Sequence, residues 1–442
     1  MPPADVPQPP AGSPGSSRSL AAWLAHLETL HPKAMDLGLD RVRAVHQALG
    51  RPHPGACVIT VAGTNGKGST IATMDAVLRA HGHRVGQTTS PHLIRFNERI
   101  AIDGLCATDA AIVGAFERID AARGDISLTY FEFGVLAALV LLAAAAPDHA
   151  LLEIGLGGRL DAVNIVDPDV AVITAVDLDH QEWLGPDRET IGREKAGILR
   201  AGKPLVLGDP DPPASVLARA SELSAPCWRL GRDFGFEHDG GDLCFRGRTA
   251  QGEAWSLPSV PRPALALDDV ATGLQALLVA GVVLDADRTR CALASLQLSG
   301  RLQRLEHEGV SVILDVAHNP HAAAHLRDRL GDETPAIAVF GALADKDAPA
   351  MVRALADRVA RWELVATPGA RGRSARALAE DLREAGLELA CGCHDTPLEG
   401  FAAALAAARE RGDPRVLVLG SFTVVGAVLA MLEAGARGVA GP

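Results

Sequence analysis

Several kinds of residue that define whole classes of protein are scarce in this sequence. Aromatic residues make up 4% of the 442 positions, tyrosine occurs once and cysteine occurs seven times. Because the cysteines are odd in number and scattered, they argue against a disulfide framework, and we expect reduced core thiols in a reducing cytosol. Positive charge is scarce too: 42 Lys and Arg face 54 Asp and Glu, and the formal net charge of −12 argues against general affinity for nucleic acid.

Long apolar runs are also missing. The stretch most similar to a membrane span, residues 133–146, is too short and stops at Pro147, so it predicts a buried helix. Residues 1–17 are rich in Pro, Gly and Ser and contain neither the basic nor the apolar segment of a signal peptide, which predicts a disordered tail. We therefore expect a cytoplasmic protein without a membrane role, and we expect a monomer.

What the sequence does contain is the composition of packed domains, with 48% apolar and 22% charged residues. A chain of this length does not normally form a single core, so two or three domains are expected. Short Val- and Ile-rich runs alternate with segments of helical period, which indicates parallel strands joined by helices, the α/β class. The strand candidates in the first part are 57–61, 84–88, 150–154, 170–175 and 204–207.

The pattern changes twice further along the chain. Residues 233–257 predict a small antiparallel excursion, followed by a helix over 269–280. Near residue 299 the alternation restarts, which predicts a second, Rossmann-like domain. Its strand candidates are 310–314, 336–340, 363–366, 387–390 and 416–419. We place the first domain at residues 18–298 and the second at residues 299–442.

A glycine-rich turn carries the strongest chemical signal. A predicted buried strand runs into it and a helix predicted over 71–80 follows, which is the arrangement of a phosphate-binding loop. Backbone N–H groups and the helix N-terminus would hold phosphates, and Lys67 would reach the outer ones. Gly68 separates Lys67 from Ser69, a departure from the usual spacing, and ATP is the expected nucleotide. The turn consists of Gly63, Thr64, Asn65, Gly66, Lys67, Gly68, Ser69 and Thr70.

Polar residues lie at or near the carboxyl ends of three further predicted strands, where open α/β sheets bind ligands. Ser90 follows the second strand, Glu153 lies inside a strand that should otherwise be buried, and His180 follows the strand at 170–175. A buried carboxylate needs a cation or donor, so Glu153 predicts either an ion pair or a metal site. Mg²⁺ prefers oxygen ligands and bridges protein to nucleotide phosphates, which favours the metal.

Seven segments, taken together, resemble the folate-forming branch of the Mur ligase superfamily, the bifunctional dihydrofolate synthase/folylpolyglutamate synthases. The resemblance extends from about Ser19 to Glu433. It implies a P-loop-containing Mur-ligase-like ATPase domain followed by a smaller Rossmann-like glutamate ligase domain. The segments are Gly63–Ser69, Ser90–His92, Leu128–Phe133, Glu153–Asp161, Asp179–His180, Gly192–Ile198 and Asp315–Pro320.

The resemblance implies roles for the metal-site residues. Ser90 and Glu153 would bind one Mg²⁺, and His180 would bind a second. Lys195, which spacing alone would never single out, would be carbamylated and so become an anionic ligand of the second metal.

The resemblance also implies a pteroate site and contacts from the second domain. Arg301 would reach the ATP phosphates, Asp315 would bind the nucleotide, and His318 would lie beside the reacting centre. At the position of Asp269 the family usually has an asparagine that lies near the adenine. This sequence departs from the family pattern there. The pteroate segments are Asp36, Leu37 and Gly38; Thr129, Tyr130, Phe131 and Glu132; and Leu160, Asp161 and Ala162. The alternative for Tyr130 and Phe131 is that they simply pack the following helix.

The resemblance implies ATP-dependent amide formation, in which the γ-phosphoryl group passes to the substrate carboxylate and the glutamate amine attacks the acyl phosphate. The acceptors would be dihydropteroate and reduced folates, with L-glutamate as co-substrate. The alternative is a monofunctional folylpolyglutamate synthase without dihydropteroate activity. A peptidoglycan-type Mur ligase and a catalytically silent nucleotide-binding module are more distant rivals.

Overall fold

The computed structural model describes residues 18–33, 35–331, 337–412 and 415–439. The tail predicted at residues 1–17 lies outside the described residues. The chain divides into two compact units, each with an α/β core. The first unit comprises the described residues up to Pro91 and those from Phe96 to Leu296, and the second comprises His92–Arg95 and the described residues from Gln297 onward.

An eight-stranded sheet forms the centre of the first unit, in the order β4-β3-β2-β5-β1-β6-β7-β8. It is parallel from β2 to β8, and β3 and β4 extend it antiparallel at one edge. Val61 on β1 pairs with Glu153 on β5, so the strand that leads into the glycine-rich turn lies beside the strand that carries the carboxylate. The strands are β1 (Cys57–Ala62), β2 (Val85–Thr88), β3 (Ile100–Ile102), β4 (Leu105–Cys106), β5 (His149–Glu153), β6 (Val170–Ile173), β7 (Leu205–Leu207) and β8 (Cys227–Arg229).

The helices of the first unit begin with side-chain caps at several Ser, Thr and Asp residues, as at Ser19, Thr108, Thr129 and Asp187. They are α1 (Leu20–Leu30), α2 (Asp40–Ala48), α3 (Lys67–Ala80), α4 (Asp109–Arg123), α5 (Tyr130–Ala145), α6 (Gln181–Leu184), α7 (Arg188–Lys195), α8 (Ala214–Glu222), α9 (Leu267–Val279) and α10 (Ala286–Ala294). Three short 3₁₀ helices lie at Phe96–Arg99, Ala162–Ile165 and Ala196–Ile198.

The antiparallel excursion predicted at 233–257 is confirmed as a three-stranded sheet of β9 (Gly235–Asp239), β10 (Asp242–Arg248) and β11 (Ala254–Leu257). The buried side chain of Gln275 on α9 accepts a hydrogen bond from the backbone N–H of Arg248 and donates one to its carbonyl, at 3.0 and 2.7 Å. A fully buried amide is satisfied in this way and fixes the excursion on α9.

The second unit contains a six-stranded sheet in the order β12-β13-β17-β14-β15-β16, parallel except for β12. Successive residues of its central strands enter two different apolar clusters, one against α11 to α13 and the other against α14 and α15. The elements are β12 (Gln303–His307), β13 (Val310–Leu314), α11 (Pro320–Leu330), β14 (Ile337–Phe340), α12 (Ala348–Leu355), β15 (Arg361–Val365), α13 (Ala375–Glu384), β16 (Cys391–His394), α14 (Pro397–Arg411), β17 (Arg415–Leu419) and α15 (Phe422–Val439).

Two expectations from the sequence are wrong. The strand predicted at 387–390 is loop, and the strand next to β15 is β16, because Cys391–His394 supply the paired backbone. The cysteines are free, as expected, but none of the seven is buried. Six lie at strand ends, sheet edges or a helix surface, and Cys244 lies on the partly exposed central strand of the three-stranded sheet. None of the described helices is long and apolar enough to cross a bilayer. The buried helix predicted at 133–146 is confirmed as part of α5.

Candidate active site

The glycine-rich turn joins β1 to α3 as predicted, and the helix begins at Lys67, four residues earlier than expected. Gly63 has φ +154° and Gly66 has φ +90°, backbone conformations that favour glycine. The hydroxyl of Thr174 donates to the carbonyl of Asn65 at 2.6 Å, and the N–H of Thr64 donates to the carbonyl of Ala175 at 2.7 Å. The residues after β6 therefore fix the turn, which leads directly into the N-terminus of α3.

Lys67 folds back over this turn. Its Nζ atom donates to the carbonyls of Gly63 and Thr64 at 3.0 and 3.2 Å. A lysine held over converging backbone N–H groups is the arrangement that binds the outer phosphates of a nucleotide.

Asp269, at the start of α9, lies against the same turn. A Cβ atom added to Gly66 would stand 2.1 Å from Oδ1 of Asp269, and the hydroxyl of Thr70 donates to the Asp269 carbonyl at 3.3 Å. The structure thus brings the carboxylate to the phosphate loop, a position that sequence reasoning did not assign to it.

Ser90 and Glu153 come together at the carboxyl ends of β2 and β5. The backbone N–H of Ser90 donates to Oε2 of Glu153 at 2.9 Å, and Glu153 is 6% exposed. Both residues line a small, open recess, which we call the Glu153 recess. Its lining consists of Thr88, Thr89, Ser90, Arg99, Phe131, Gly134, Val135, Glu153 and Val163.

Arg99 is a residue of this recess that sequence reasoning missed. Its guanidinium carbon lies 5.4 Å from the ring centre of Phe96 and 5.6 Å from that of Tyr130. Burial lowers the pKa of Arg99, and the negative charge of Glu153 acts in the opposite direction. A half-buried cation in contact with two rings and electrostatically coupled to a buried carboxylate is suited to hold an anionic part of a ligand.

Phe131 brings one of the predicted pteroate segments to the same recess. Tyr130 packs edge-on against Phe96, with ring centres 5.8 Å apart, and burial raises the pKa of its hydroxyl. Tyr130 therefore belongs to an aromatic and cationic wall rather than only to the packing of α5. Thr129 and Glu132 form the capping box of α5, which gives both a structural role at the helix N-terminus.

The segment around Asp36 connects to α5 through Arg41. The guanidinium of Arg41 donates to Oδ2 of Asp36 at 2.7 Å and to Oε1 of Glu132 at 3.1 Å. Two predicted pteroate segments, distant in sequence, are thus held together. Leu37 and Gly38 are partly exposed, and a Cβ added to Gly38 would meet nothing within 4 Å, so this segment borders open space.

The third segment is arranged around the buried carboxylate of Asp161. Its oxygens accept from the backbone N–H groups of Leu156 and Val163 at 2.8 and 2.9 Å. Burial raises its pKa to about 6, although these hydrogen bonds and the charge of Lys67 act against the rise. Asp161 therefore organises the loop after β5, with the partly exposed Leu160 and the buried Ala162 on either side of it.

Lys195, the last residue of α7, is 2% exposed. Burial lowers its pKa to about 7, the positive charge of Lys67 also acts to lower it, and Asp179 opposes the change. The preceding residue, Glu194, forms a bidentate ion pair with Arg159 at 2.9 and 3.2 Å, which fixes the helix end beside the loop after β5. A lysine in these surroundings is uncharged for a large fraction of the time near neutral pH.

His180 lies just before α6, in a left-handed conformation with φ +50°. Its backbone N–H donates to Oδ1 of Asp179 at 2.8 Å, and its Nε2 atom lies 3.9 Å from the same oxygen. Among the described residues, no group of three or more His, Cys, Asp and Glu side chains is arranged to hold a metal. The predicted metal ligands fit only with additional oxygens, which a carbamate on Lys195 and nucleotide phosphates would provide.

The remaining predicted residues belong to the second unit. Asp315 accepts from the backbone N–H groups of Leu302 and Ala317 at 2.8 and 2.9 Å, which gives it a structural role at the end of β13. The guanidinium carbon of Arg301 lies 5.3 Å from the ring centre of Phe422. The ring centre of His318 lies 5.8 Å from the same Phe422 ring centre. Arg301 and His318 are thus brought together around one phenylalanine.

Two family models match this chain. Residues 61–231 match the Mur ligase middle domain, and residues 300–422 match the Mur ligase glutamate ligase domain. The chain is 43% identical over 425 residues to a dihydrofolate synthase/folylpolyglutamate synthase of Escherichia coli, covering 96% of this chain and 97% of that protein.

Two solved structures are similar over nearly the whole chain. The first is E. coli FolC in complex with DHPP and ADP, with a TM-score of 0.88, 42% identity and coverage of 96% of this chain and 99% of that one. The second is the bifunctional folylpolyglutamate synthase/dihydrofolate synthase with Mn, AMPPNP and L-glutamate bound, with a TM-score of 0.84, 42% identity and coverage of 96% and 100%.

Proposed function

This chain belongs to the dihydrofolate synthase/folylpolyglutamate synthase family of Mur ligases, and from that premise we propose which residues carry out its reaction. The protein is an ATP-dependent carbon–nitrogen ligase that adds L-glutamate to dihydropteroate and to reduced folates. It uses ATP and a divalent metal.

One observation carries the assignment of roles within the first unit. The Glu153 recess combines two predicted metal ligands, Ser90 and Glu153, with Phe131 of a predicted pteroate segment and the cation Arg99. A carboxylate acceptor bound along Phe131 would place its reacting carboxylate beside the predicted metal ligands and the cation Arg99.

ATP is held by the turn that begins at Gly63. Lys67 and the N-terminal amides of α3 bind the outer phosphates, and β1 and β5 place this turn next to Glu153. Negative charge accumulates on phosphoryl oxygens as the acyl phosphate forms and again as it breaks, so positioned cations and N–H groups lower both barriers. No side chain needs to act as a nucleophile.

Mg²⁺ is the metal that we assign to this site, as two ions. Ser90 and Glu153 would hold one ion, and His180 and a modified Lys195 would hold the other. Bound there, the metal supplies Lewis-acid polarisation of phosphoryl oxygens. Glu153, buried and electrostatically coupled to Arg99, fits a site that brings a further positive charge.

Lys195 is proposed to be carbamylated. Its neutral amine attacks CO₂, an N–C bond forms, one proton is released to solvent, and an anionic carboxylate replaces a cation. Two observations support this: the side chain is 2% exposed, and burial lowers its pKa to about 7. A buried cation is thereby converted into an oxygen ligand of the kind that Mg²⁺ prefers.

Roles for the second unit follow from the family alone. Arg301 and Asp315 would contact the nucleotide, and His318 would lie beside the reacting centre. In the first unit, Asp269 would contact the adenine, as the usual asparagine does, or the phosphate loop, against which it lies. We also propose that the protein acts as a monomer in the cytoplasm.

The decisive experiment offers purified protein ATP, Mg²⁺ and labelled glutamate with either dihydropteroate or tetrahydrofolate, and identifies products by mass. Glutamate addition to both acceptors is expected. Extension of reduced folates without formation of dihydrofolate would instead establish the monofunctional folylpolyglutamate synthase. Dependence of ADP release on the acceptor provides the control against uncoupled ATP hydrolysis.

A further inference from the structure

Two histidines on α11 face each other one helical turn apart. The Nε2 atoms of His321 and His325 are 3.1 Å apart, and the ring centres are separated by 4.4 Å with an interplanar angle of 64°. Neither residue belongs to the sites described above. His325 is exposed and His321 is half-buried, so the pair is accessible from solvent.

The helix that carries the pair is firmly fixed. Asn319 caps it by accepting from the N–H of Ala322 at 2.9 Å, and Pro320 occupies its first turn. Leu326 and Leu330 anchor the helix in the core of the second unit. Residues four apart on a helix have Cβ atoms about 5–6 Å apart. The two imidazoles are therefore held close together before any ligand arrives.

We propose that His321 and His325 form a binding site for a divalent transition-metal ion. Zinc–imidazole bonds are about 2.0–2.1 Å long, so two nitrogens bound to one ion at 90° or at the tetrahedral angle lie about 2.8–3.4 Å apart. The 3.1 Å between the two Nε2 atoms falls within this interval. The pair is thus spaced as a bidentate ligand, and rotation of the rings suffices to direct both lone pairs at one ion.

The ligand type defines which ions bind. Imidazole suits Zn²⁺, Ni²⁺ and Cu²⁺, with Cu²⁺ bound most tightly among the divalent ions, whereas Mg²⁺ prefers oxygen. Since no third His, Cys, Asp or Glu joins the pair within the part of the chain that the structure describes, the remaining positions are left for water or an external ligand. The site is therefore open and exchangeable, unlike a closed structural zinc site.

Without metal, the same 3.1 Å separation accommodates a hydrogen bond in which one Nε2–H donates to the other Nε2. On binding, the donating ring moves its proton from Nε2 to Nδ1, and both Nε2 lone pairs become ligands. No net proton is released when both rings start neutral. The hydrogen bond and the metal complex are thus alternative states of one preformed pair.

Copper binding to the full-length, untagged protein tests the proposal. The chain is stripped with a chelator, saturated with Mg²⁺ to occupy oxygen sites, and titrated with Cu²⁺ under electron paramagnetic resonance and calorimetry. We expect one Cu²⁺ whose spectrum shows coupling to two imidazole nitrogens. In His325→Gln this ion should bind at least about tenfold more weakly, because the second, tethered donor is lost, and the two-nitrogen signature should disappear.

The matched control is His83→Gln, since His83 also faces a second histidine, His149, with ring centres 5.0 Å apart. That variant should retain the copper site unchanged. His325 is exposed, so its variant should keep the wild-type melting temperature and ligase activity. An identical titration and spectrum in wild type and His325→Gln, or equal loss in both variants, would overturn the proposal.

Discussion

The backbone N–H of Ser90 donates a 2.9 Å hydrogen bond to Oε2 of Glu153, across 63 residues of chain. This contact joins the carboxyl ends of β2 and β5, which are neighbours in the sheet. It fixes one oxygen of the carboxylate at the edge of the sheet where Phe131 and Arg99 also lie. The position of the Glu153 charge is therefore set by main-chain structure.

Glu153→Gln tests the importance of that charge. The amide oxygen can still accept from the Ser90 N–H, so the variant should fold with a melting temperature close to wild type. Ligation should fall by roughly several powers of ten, because a metal ligand and its charge are removed from the phosphoryl-transfer site. The control is Glu117→Gln, a change of the same size at an exposed position on α4. Near-wild-type turnover at saturating Mg²⁺ would remove Glu153 from the metal site.

Lys195→Ala should abolish ligation with either acceptor. If the carbamate supplies the missing anionic ligand, small carboxylates added to the buffer should restore part of the activity. Lys203→Ala, which removes a lysine from a surface ion pair with Asp169, should leave activity unchanged and show no response to these additives. An unmodified Lys195 ammonium in a high-resolution map of the ATP-bound enzyme would contradict the carbamate.

Gly66→Ala should weaken ATP binding strongly. The loss should exceed the effect of placing an alanine at a positive φ angle alone. The new methyl group would stand 2.1 Å from Oδ1 of Asp269, so either the turn or the start of α9 must move. Gly82→Ala is the matched control: its φ is +85°, similar to the +90° of Gly66, but its Cβ meets nothing within 4 Å. The control should lose about 1–2 kcal/mol of stability and keep its nucleotide affinity. Equal effects of both changes on ATP affinity would exclude the contact with Asp269.

The sequence predicted the phosphate loop because its chemistry is local: glycines, Lys67 and hydroxyls within eight positions follow a buried strand. Arg99 could not be found in the same way. Its role depends on contacts with Phe96 and Tyr130 and on the charge of Glu153, and only the fold brings the last two of these near it. A buried arginine has no sequence pattern that distinguishes it from an exposed one.

Some structural roles could not be predicted from the sequence either. Thr129 and Glu132 were predicted as pteroate-lining residues, and the structure shows that they cap α5. The strand expected at 387–390 failed for a related reason, since apolar alternation there resembles a strand although the backbone that pairs with β15 belongs to Cys391–His394. Which residues form a parallel strand depends on the neighbouring strand with which they pair, and that strand is distant in the sequence.

Asp161 should give the stability of the protein a distinctive pH dependence. Burial raises its folded pKa to about 6 from an ordinary 3.8, so the folded state binds a proton more tightly than the unfolded state. Its contribution to stability is complete below pH 3.8 and is lost as pH rises through 6. Relative to Asp161→Asn, the unfolding free energy of wild type should fall by about 3 kcal/mol across that window.

Urea unfolding of the two proteins between about pH 4 and 7 measures this difference. The substitution Asp161→Asn also disturbs the hydrogen bonds from Leu156 and Val163. That cost is nearly independent of pH, so the slope of the difference, and not its absolute value, is the readout. A difference that stays flat, or a wild type that gains stability over the variant as pH rises, would show that the carboxyl is not protonated in the folded state near about pH 5.

One catalytic centre should serve both acceptors, because the described residues contain one phosphate loop and one set of Glu153, His180 and Lys195. Lys67→Ala removes the ammonium that is held over that loop and should therefore reduce glutamate addition to dihydropteroate and to tetrahydrofolate by the same factor. Phe131→Ala and Arg99→Gln change the Glu153 recess instead. Dihydropteroate and folates present the same pterin but differ in how far the tail extends from it.

These two recess variants should therefore shift the ratio of the two activities and raise the KM for the acceptor while leaving the KM for ATP unchanged. Loss of a ligand contact worth about 1.4 kcal/mol corresponds to a change of about tenfold in KM. Steady-state kinetics with each acceptor at saturating ATP provide the measurement, with Arg84→Gln, a surface pair with Asp103, as the control. If Lys67→Ala abolished only one activity, the two acceptors would have to react at different centres, because a shared phosphate loop cannot distinguish them.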